Sequence, residues 1–404
     1  MNATLITSRR EAGAALVVAL FAVMILTSLV IAFAGIARTD AMLAGNRRAM
    51  VRGVNAAQSG VQYCRALLAS DDAAVDSGEE DWAQVQQAPL ELDIPGLSVS
   101  AAIEDESGRL NINTATKEKL MALPGMTEEA ADSILDWRDS DEEPRPAGAE
   151  WDYYLALPSP YEAANGAFET PDELRLVRGI DREMFEGDGT EEAPGLRGLV
   201  TVHSGEANVD REGRRRLNIN TAGSEQLAAR LGDILTPEEI AAIERRRQER
   251  RIASLAQALS INGVPWPKMA QALDRICVDD RGFAEGTVNL NTASGAVLEA
   301  VGLPAEVAQA VIERRASEPL ETKGDLAEIE GVDEQIMRGV ADVIASKSSV
   351  FRVTAWAQSE DRPITTAVLV LLDRTARPAK IVLWRQLHGR EAPPPALEEE
   401  QSGP

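Results

Sequence analysis

The chain has 404 residues, enough for two or three domains that each bury their own core. It carries 65 Asp and Glu against 41 Lys and Arg, a formal net charge of −24, so binding to a phosphate backbone is unfavourable over most of its surface and cations or basic partners are favoured. Two histidines, His203 and His388, leave little material for triad or acid–base chemistry, and the two distant cysteines, Cys64 and Cys277, make neither a metal-ligand pair nor a disulfide framework.

Residues 12–37 run without a charge. At about 1.5 Å of rise per residue, a helix of that length crosses a ~30 Å hydrocarbon core. The competing reading is a cleaved signal peptide with Ala32-Phe33-Ala34 as its small-x-small site, yet an apolar signal region is typically ~7–15 residues long. The helical pattern also continues beyond that site. Leu43, Met50, Val54, Ala57, Val61, Cys64 and Leu68 recur on one helix face, with Arg47, Arg48, Arg52, Asn55 and Gln58 between them. This spacing predicts one amphipathic helix that leaves the membrane and lies against a soluble core. Cys64 on that stripe reads as a buried structural thiol, with a long-range disulfide to Cys277 left open. Arginines on both sides of the run, Arg9 and Arg10 before it and Arg38, Arg47, Arg48 and Arg52 after it, give no orientation by the positive-inside rule.

A strand is predicted over 97–103 from its alternation. Next comes an internal repeat: Leu110-Asn111-Ile112-Asn113-Thr114-Ala115 returns as Leu217-Asn218-Ile219-Asn220-Thr221-Ala222 and, altered, as Val288-Asn289-Leu290-Asn291-Thr292-Ala293. Each copy ends an extended stretch and opens a helix, with Asn and Thr as expected caps. Thr170-Pro171-Asp172-Glu173 and Thr236-Pro237-Glu238-Glu239 carry complete helix-start signals. Residues 108–345 therefore read as short helices joined by Gly/Pro turns. Three strands follow, over 350–356, 365–372 and 380–387, and the tail 391–404 reads as disordered. The economical assembly is an α+β fold: the N-terminal helix packs on a small antiparallel sheet, and a large, mainly helical (SAM-like, helix-hairpin-helix-like) region is inserted after the first strand. The divisions expected are 1–13 leader, 14–37 membrane span, 38–107 helix extension and first strand, 108–345 insertion, 346–390 returning strands, and 391–404 tail.

Two features of the insertion bear on function. Trp137, Trp151, Tyr153, Tyr154, Tyr161 and Phe168 crowd one stretch of a chain that is 4% aromatic, either as a local core or, in part, as exposed interface anchors. Asp139, Asp141, Glu143 and Glu150 stand at places one, three, five and twelve of a loop flanked by Asp136 and Asp152. Pro144 occupies the place where a calcium hand needs glycine, so the loop is not one, but so many carboxylates either stay fully solvated or gather a hard cation. The candidate ligands are Asp139, Asp141, Glu150 and Asp152.

The hydrophobic N-terminal helix, the sheet and the Leu-Asn-Ile-Asn-Thr-Ala repeat, together with Ile134-Leu135-Asp136-Trp137-Arg138-Asp139, the stretch Gly148-Ala149-Glu150-Trp151-Asp152-Tyr153-Tyr154-Leu155 and Glu173-Leu174-Arg175-Leu176-Val177-Arg178-Gly179, resemble the general secretion pathway protein K family, the large minor pseudopilins of type II secretion. The resemblance implies prepilin-peptidase cleavage after Gly13, leaving Ala14 as the mature N-terminus. It also implies Ca²⁺ in the helical domain. The implied partners are the I- and J-type minor pseudopilins and the inner-membrane platform, at the tip of a periplasmic filament, with the chain single-pass in the inner membrane and its domain in the periplasm. Pilins commonly carry Glu at the fifth mature position, where this chain has Val18, and K-type members share that departure.

The runner-up is a membrane-anchored nucleic-acid-binding protein built from helix-hairpin-helix (SAM-like) modules, suggested by Leu123-Pro124-Gly125, Gly302-Leu303-Pro304 and the run Arg245, Arg246, Arg247, Arg250, Arg251. Carboxylates at the turns, Glu128 and Glu129 beside Gly125 and Glu330 and Asp333 beside Gly331, oppose phosphate binding, and the arginine run, interleaved with Glu244 and Glu249, reads as a solvated helix face. No Gly-rich phosphate loop, nucleophile elbow or His-based metal motif supports an enzyme.

Overall fold

The structure, a computed structural model, describes residues 3–188, 190, 194–361 and 363–387, with side chains from Ala14 onward. The expected leader side chains and the tail 391–404 lie outside the described residues. Helix α1 (Ala3–Ser70) is continuous from the apolar run into the soluble part. From Leu16 to Ile36 its large apolar side chains are exposed, with no protein to cover them. From Gly53 onward the helix lies on a sheet, burying Ala56, Ala57, Val61, Cys64 and Leu68. Leu43 and Met50, expected on the same buried stripe, are instead exposed, because the sheet ends above them. The helix needs two glycines to approach closely. A Cβ on Gly53 would collide with Thr366 Oγ1, and one on Gly60 would sit 3.0 Å from Val99 Cγ1 and 3.3 Å from Ala355 Cβ.

The sheet has four strands, β1 (Leu97–Asp105), β2 (Val350–Ser359), β3 (Thr365–Asp373) and β4 (Lys380–Leu387), antiparallel in that spatial order. Its register sets Ala101 opposite Ala355 and Ala355 opposite Val368. Val99, Ala101, Ile103, Phe351, Val353, Ala355, Val368, Val370 and Leu372 form the helix-facing core. The period-2 alternation read in the sequence is the burial pattern of this face. Trp82, on a short helix (Asp81–Gln84) not foreseen in the sequence, closes the core against Phe351 with ring centroids 5.1 Å apart. Both cysteines are buried and free, and desolvation pushes the Cys64 thiol up to about 12. Cys64 is thus the structural thiol expected.

Between β1 and β2, three copies of one module occupy the insertion. In each, the two residues that begin the repeat pair in parallel with a segment that closes the module: Leu110-Asn111 with Val200-Thr201, Leu217-Asn218 with Ile276-Cys277, and Val288-Asn289 with Ile344-Ala345. The asparagines do not cap helices as expected. The first accepts from the backbone of the second at 2.9, 3.0 and 3.0 Å, making an Asx turn. The second reaches across the module and exchanges two hydrogen bonds with the backbone N–H and C=O of one distant residue: Asn113 with Phe168 (3.0 and 2.8 Å), Asn220 with Ile252 (both 2.9 Å), and Asn291 with Leu320 (both 2.9 Å). Helices start later, after Thr116, Gly223 and Ser294. Thr236 opens α-helix with the expected capping box, whereas Thr170 opens only the 3₁₀ turn Pro171–Leu176.

An arginine at or near the end of each module's second helix completes the pattern. Helices α2 (Glu128–Arg138), α4 (Pro237–Glu249) and α5 (Ala305–Arg315) supply Arg138, Arg247 and Arg315, and a short helix, α3 (Trp151–Leu155), lies between the first two in the chain. Arg138 donates to the carbonyls of Ile112 and Ala115, Arg247 to those of Ile219 and Ala222 (3.0 and 2.6 Å), and Arg315 to those of Leu290 and Ala293 (both 2.7 Å). These turn carbonyls have no helical partner, and a fixed cationic fork satisfies two at once. Arg247 therefore corrects the reading of its run as merely a solvated face.

Candidate functional site: an acidic loop beside an aromatic surface

Helix α2 is N-capped by Thr127, which accepts from Ala130 N at 3.2 Å, and Asp139 is its C-cap. Its inward face carries Asp132 and Asp136, both buried, and these draw the following loop back onto the helix. Asp132 accepts from Ala147 N (3.2 Å), and Asp136 accepts from Arg145 N (3.1 Å) and Arg145 Nη1 (2.6 Å). Gly148 is required there, since a Cβ would strike Asp136. The folded loop gathers Asp139, Asp141 and Glu150, each offering one carboxylate oxygen, with those oxygens all within 4.8 Å of one another.

Glu150 is 3% exposed, and neither of its carboxylate oxygens has a hydrogen-bond partner; Asp139 Oδ1 is likewise buried and unpartnered. Burial first, and then the charges of Asp136, Asp139 and Asp141, push the Glu150 carboxyl up to about 7 against the opposing Arg145. A buried, unpaired carboxylate beside two others is costly unless a cation completes it. Oxygen-only donors in an irregular loop suit a hard ion that tolerates uneven coordination, which is the chemistry of Ca²⁺. Asp152 and Glu143 stand outside the trio, exposed. Asp152 is displaced because helix α3 begins at Trp151 and turns it to solvent. The sequence reading missed Arg145, which bridges Asp136 and Asp139 (2.6 and 2.5 Å) and leaves Glu150 without a counter-charge of its own. A second acidic group, Asp71, Asp76 and Glu80, differs: Arg374 reaches Asp71 at 2.8 Å and Asp76 at 2.6 Å, so a guanidinium already supplies the positive charge.

The aromatic stretch divides in two. Trp137, Tyr154 and Phe168 are buried, with Trp137 edge-on to Tyr154 at 5.3 Å and stacked on Phe168 at 6.2 Å. Trp151, Tyr153 and Leu155 of α3 stay exposed.

Of the turns that suggested nucleic-acid binding, Gly125, Gly302 and Gly331 all take positive φ (72°, 116° and 89°). After Gly125 and Gly331, Thr127 and Asp333 accept from the first-turn amides of Ala130 and Ile336, so a phosphate there would compete with built-in acceptors, one of them a carboxylate. The helix after Gly302-Leu303-Pro304 carries no side-chain cap.

Of the expected processing pair, Gly13 lies within the helical backbone of α1 and Ala14 is exposed. A helix long and apolar enough to cross a membrane runs into a four-stranded antiparallel sheet that helical modules split after its first strand, which defines an α+β class of protein. Models of the family described as type II secretion system (T2SS), protein K, match residues 97–187 and 288–343. The type II secretion system protein K of Pseudomonas aeruginosa is 36% identical over 121 residues, 26% of this chain and 36% of that relative. An endonuclease/exonuclease/phosphatase family domain-containing protein 1 of Xenopus laevis is 29% identical over 163 residues, 39% of this chain and 25% of that one. A chain of the crystal structure of the GspK-GspI-GspJ complex from the enterotoxigenic Escherichia coli type 2 secretion system superposes with a TM-score of 0.51 at 15% identity, covering 82% of this chain and 96% of that one. The two matched stretches are thus similar to the type II secretion system protein K family, and the chain spans only about a quarter to a third of the length of the first curated relatives it matches. The first and third modules fall in or overlap the matched stretches; the second module falls outside both.

Proposed function

We propose that this chain is a minor pseudopilin of type II secretion. It is held in the inner membrane by α1 with its domain in the periplasm, and it assembles with the I- and J-type minor pseudopilins and the inner-membrane platform into the tip complex that starts the pseudopilus and supports export across the outer membrane. The observation that carries this reading is the exposed apolar helix running unbroken into a sheet split by family-matched modules. Such a helix can rest in lipid and later exchange lipid contacts for the helices of neighbouring subunits. A bulky insertion on one side of the sheet leaves room for subunits to add beneath it and little above, which suits a tip. Prepilin peptidase cuts after Gly13, leaving Ala14 first, and Ca²⁺ held by Asp139, Asp141 and Glu150 is structural. No catalytic residue is assigned. The test is co-purification: full-length tagged chain in mild detergent retains the I- and J-type pseudopilins co-expressed with it, whereas recovery of neither contradicts the assignment.

A further inference from the structure

Among the described residues, five buried carboxylate or amide oxygens lack a hydrogen-bond partner: Asp132 Oδ1, Asp139 Oδ1, both oxygens of Glu150, and Asn165 Oδ1. Asp132 is answered by charge, since Lys117 Nζ lies 2.7 Å from that oxygen. The other four belong to the acidic loop and to one uncharged residue beyond it, Asn165, which charge spacing does not reveal. Acceptor oxygens taken out of water and left unpaired are costly, so four of them around one loop call for a shared positive partner.

Asn165 is held against the loop from two sides. Its Nδ2 donates to Asp141 O at 3.4 Å, and the next amide, Gly166 N, donates at 3.3 Å to the carbonyl of Trp137 in the last turn of α2. To sit there Asn165 takes a φ of 42°, and it is the one residue other than glycine with positive φ among the described residues. Asparagine adopts that conformation more readily than most side chains, so a turn requirement is the competing account of this residue. The unpaired oxygen is what the turn does not explain.

We infer that Asn165 Oδ1 is a further protein ligand, beside Asp139, Asp141 and Glu150, for the Ca²⁺ proposed above. The inference rests on that site, which Glu150 supports independently, being 3% exposed with both oxygens unpartnered. An amide is the ligand the local charge favours. Three carboxylates already crowd the loop, and Arg145 is shared between Asp136 and Asp139. A fourth carboxylate would add repulsion, whereas a side-chain carbonyl adds a hard oxygen and no charge. Ca²⁺ accepts such carbonyls alongside carboxylates in uneven geometry. Asn165 thereby ties the segment after α3 to the loop before it through one shared ion.

The experiment titrates Ca²⁺ alone into chelator-stripped full-length chain in detergent micelles, by calorimetry, with thermal melts in chelator alongside. Asn165→Gly accepts the positive φ but removes the carbonyl, and weakens Ca²⁺ binding at least about tenfold. Its melting temperature in chelator stays within about 3 °C of the parent, because the backbone conformation is kept and the bond to Asp141 O is long. Asn165→Asp keeps an oxygen in place; it binds Ca²⁺ at least as tightly as the parent and melts lower than the parent only in chelator, where the added charge is unrelieved. Parental affinity in Asn165→Gly, or weaker binding in Asn165→Asp, overturns the ligand and leaves Asn165 a turn residue while the calcium site stands. Should Asn165→Gly fail to fold, Asn165→Asp decides alone. A parent chain that binds no Ca²⁺ removes the site itself, and this ligand with it.

Discussion

Asn220 shows what a single side chain contributes in this fold. It donates to the carbonyls of Ile252 and Val278 (2.9 and 3.0 Å) and accepts from Ile252 N, so Asn220→Ala strands a buried peptide and should cost about 2–3 kcal/mol in urea unfolding. Arg247→Met should cost a similar amount by releasing the carbonyls of Ile219 and Ala222, and the pair should lose less than the sum of the single losses because they hold one turn. The repeat itself was plain in the sequence, but its arginine was not. Arg247 stands among like charges, and only the matching places of Arg138 and Arg315, two helices after each copy, distinguish it. Glu150 gives a pH signature. Its carboxyl lies near 7 in the folded chain against an ordinary value of 4.5. Between those values the metal-free native state keeps a proton that the unfolded chain has released, so this group lowers stability as pH rises through that window. In chelator, the melting temperature of the parent should fall from pH 5 to pH 8 more than that of Glu150→Gln. Added Ca²⁺ should raise it at pH 7.5, and Asp139→Ala with Asp141→Ala should abolish that response. Equal curves with and without chelator would remove the site.

At the scale of elements, the contact of α1 with the sheet governs how the anchor and domain are joined. Gly60 faces Val99 at van der Waals limit, so Gly60→Val should overpack the interface and cost about 1–3 kcal/mol, measured by thermal unfolding, with part of the loss recovered on adding Val99→Ala. The strands and the helix were legible because their patterns are local: period 2 over 350–356 and 365–372, and a charge-free run followed by a helical stripe. The extent of the buried stripe was not legible. Leu43 and Met50 have the right spacing, and only the height at which the sheet ends leaves them bare. The short parallel pairs that close each module, such as Leu217-Asn218 with Ile276-Cys277, were invisible for the same reason, since two residues carry no period and their partner lies far along the chain. In the acidic loop, the structure brings Asp139, Asp141 and Glu150 of the expected ligands together and sets Asp152 apart at the start of α3, a boundary that charge spacing does not report.

The whole molecule combines an apolar helix that has no covering in the chain itself with a domain whose buried polar groups are mostly paired. Buried ion pairs join its parts: Asp76, just beyond α1, meets Arg374 at 2.6 Å, and Glu206, Arg216 and Lys323 link the modules at 2.7 and 2.9 Å. Asn289 of the third module donates to Asp105 at the end of β1 (2.8 Å), so sheet and insertion behave as one body on one anchor. Such a body suits the filament-tip subunit proposed above. The most direct measurement is export in the cell. In a strain lacking this chain, proteins that leave by type II secretion should accumulate in the periplasm. The intact gene should restore their release, and Gly13→Leu, which under the proposed processing would keep the leader on α1, should not. Normal release without the chain, or full rescue by an uncleaved Gly13→Leu protein, would contradict the account.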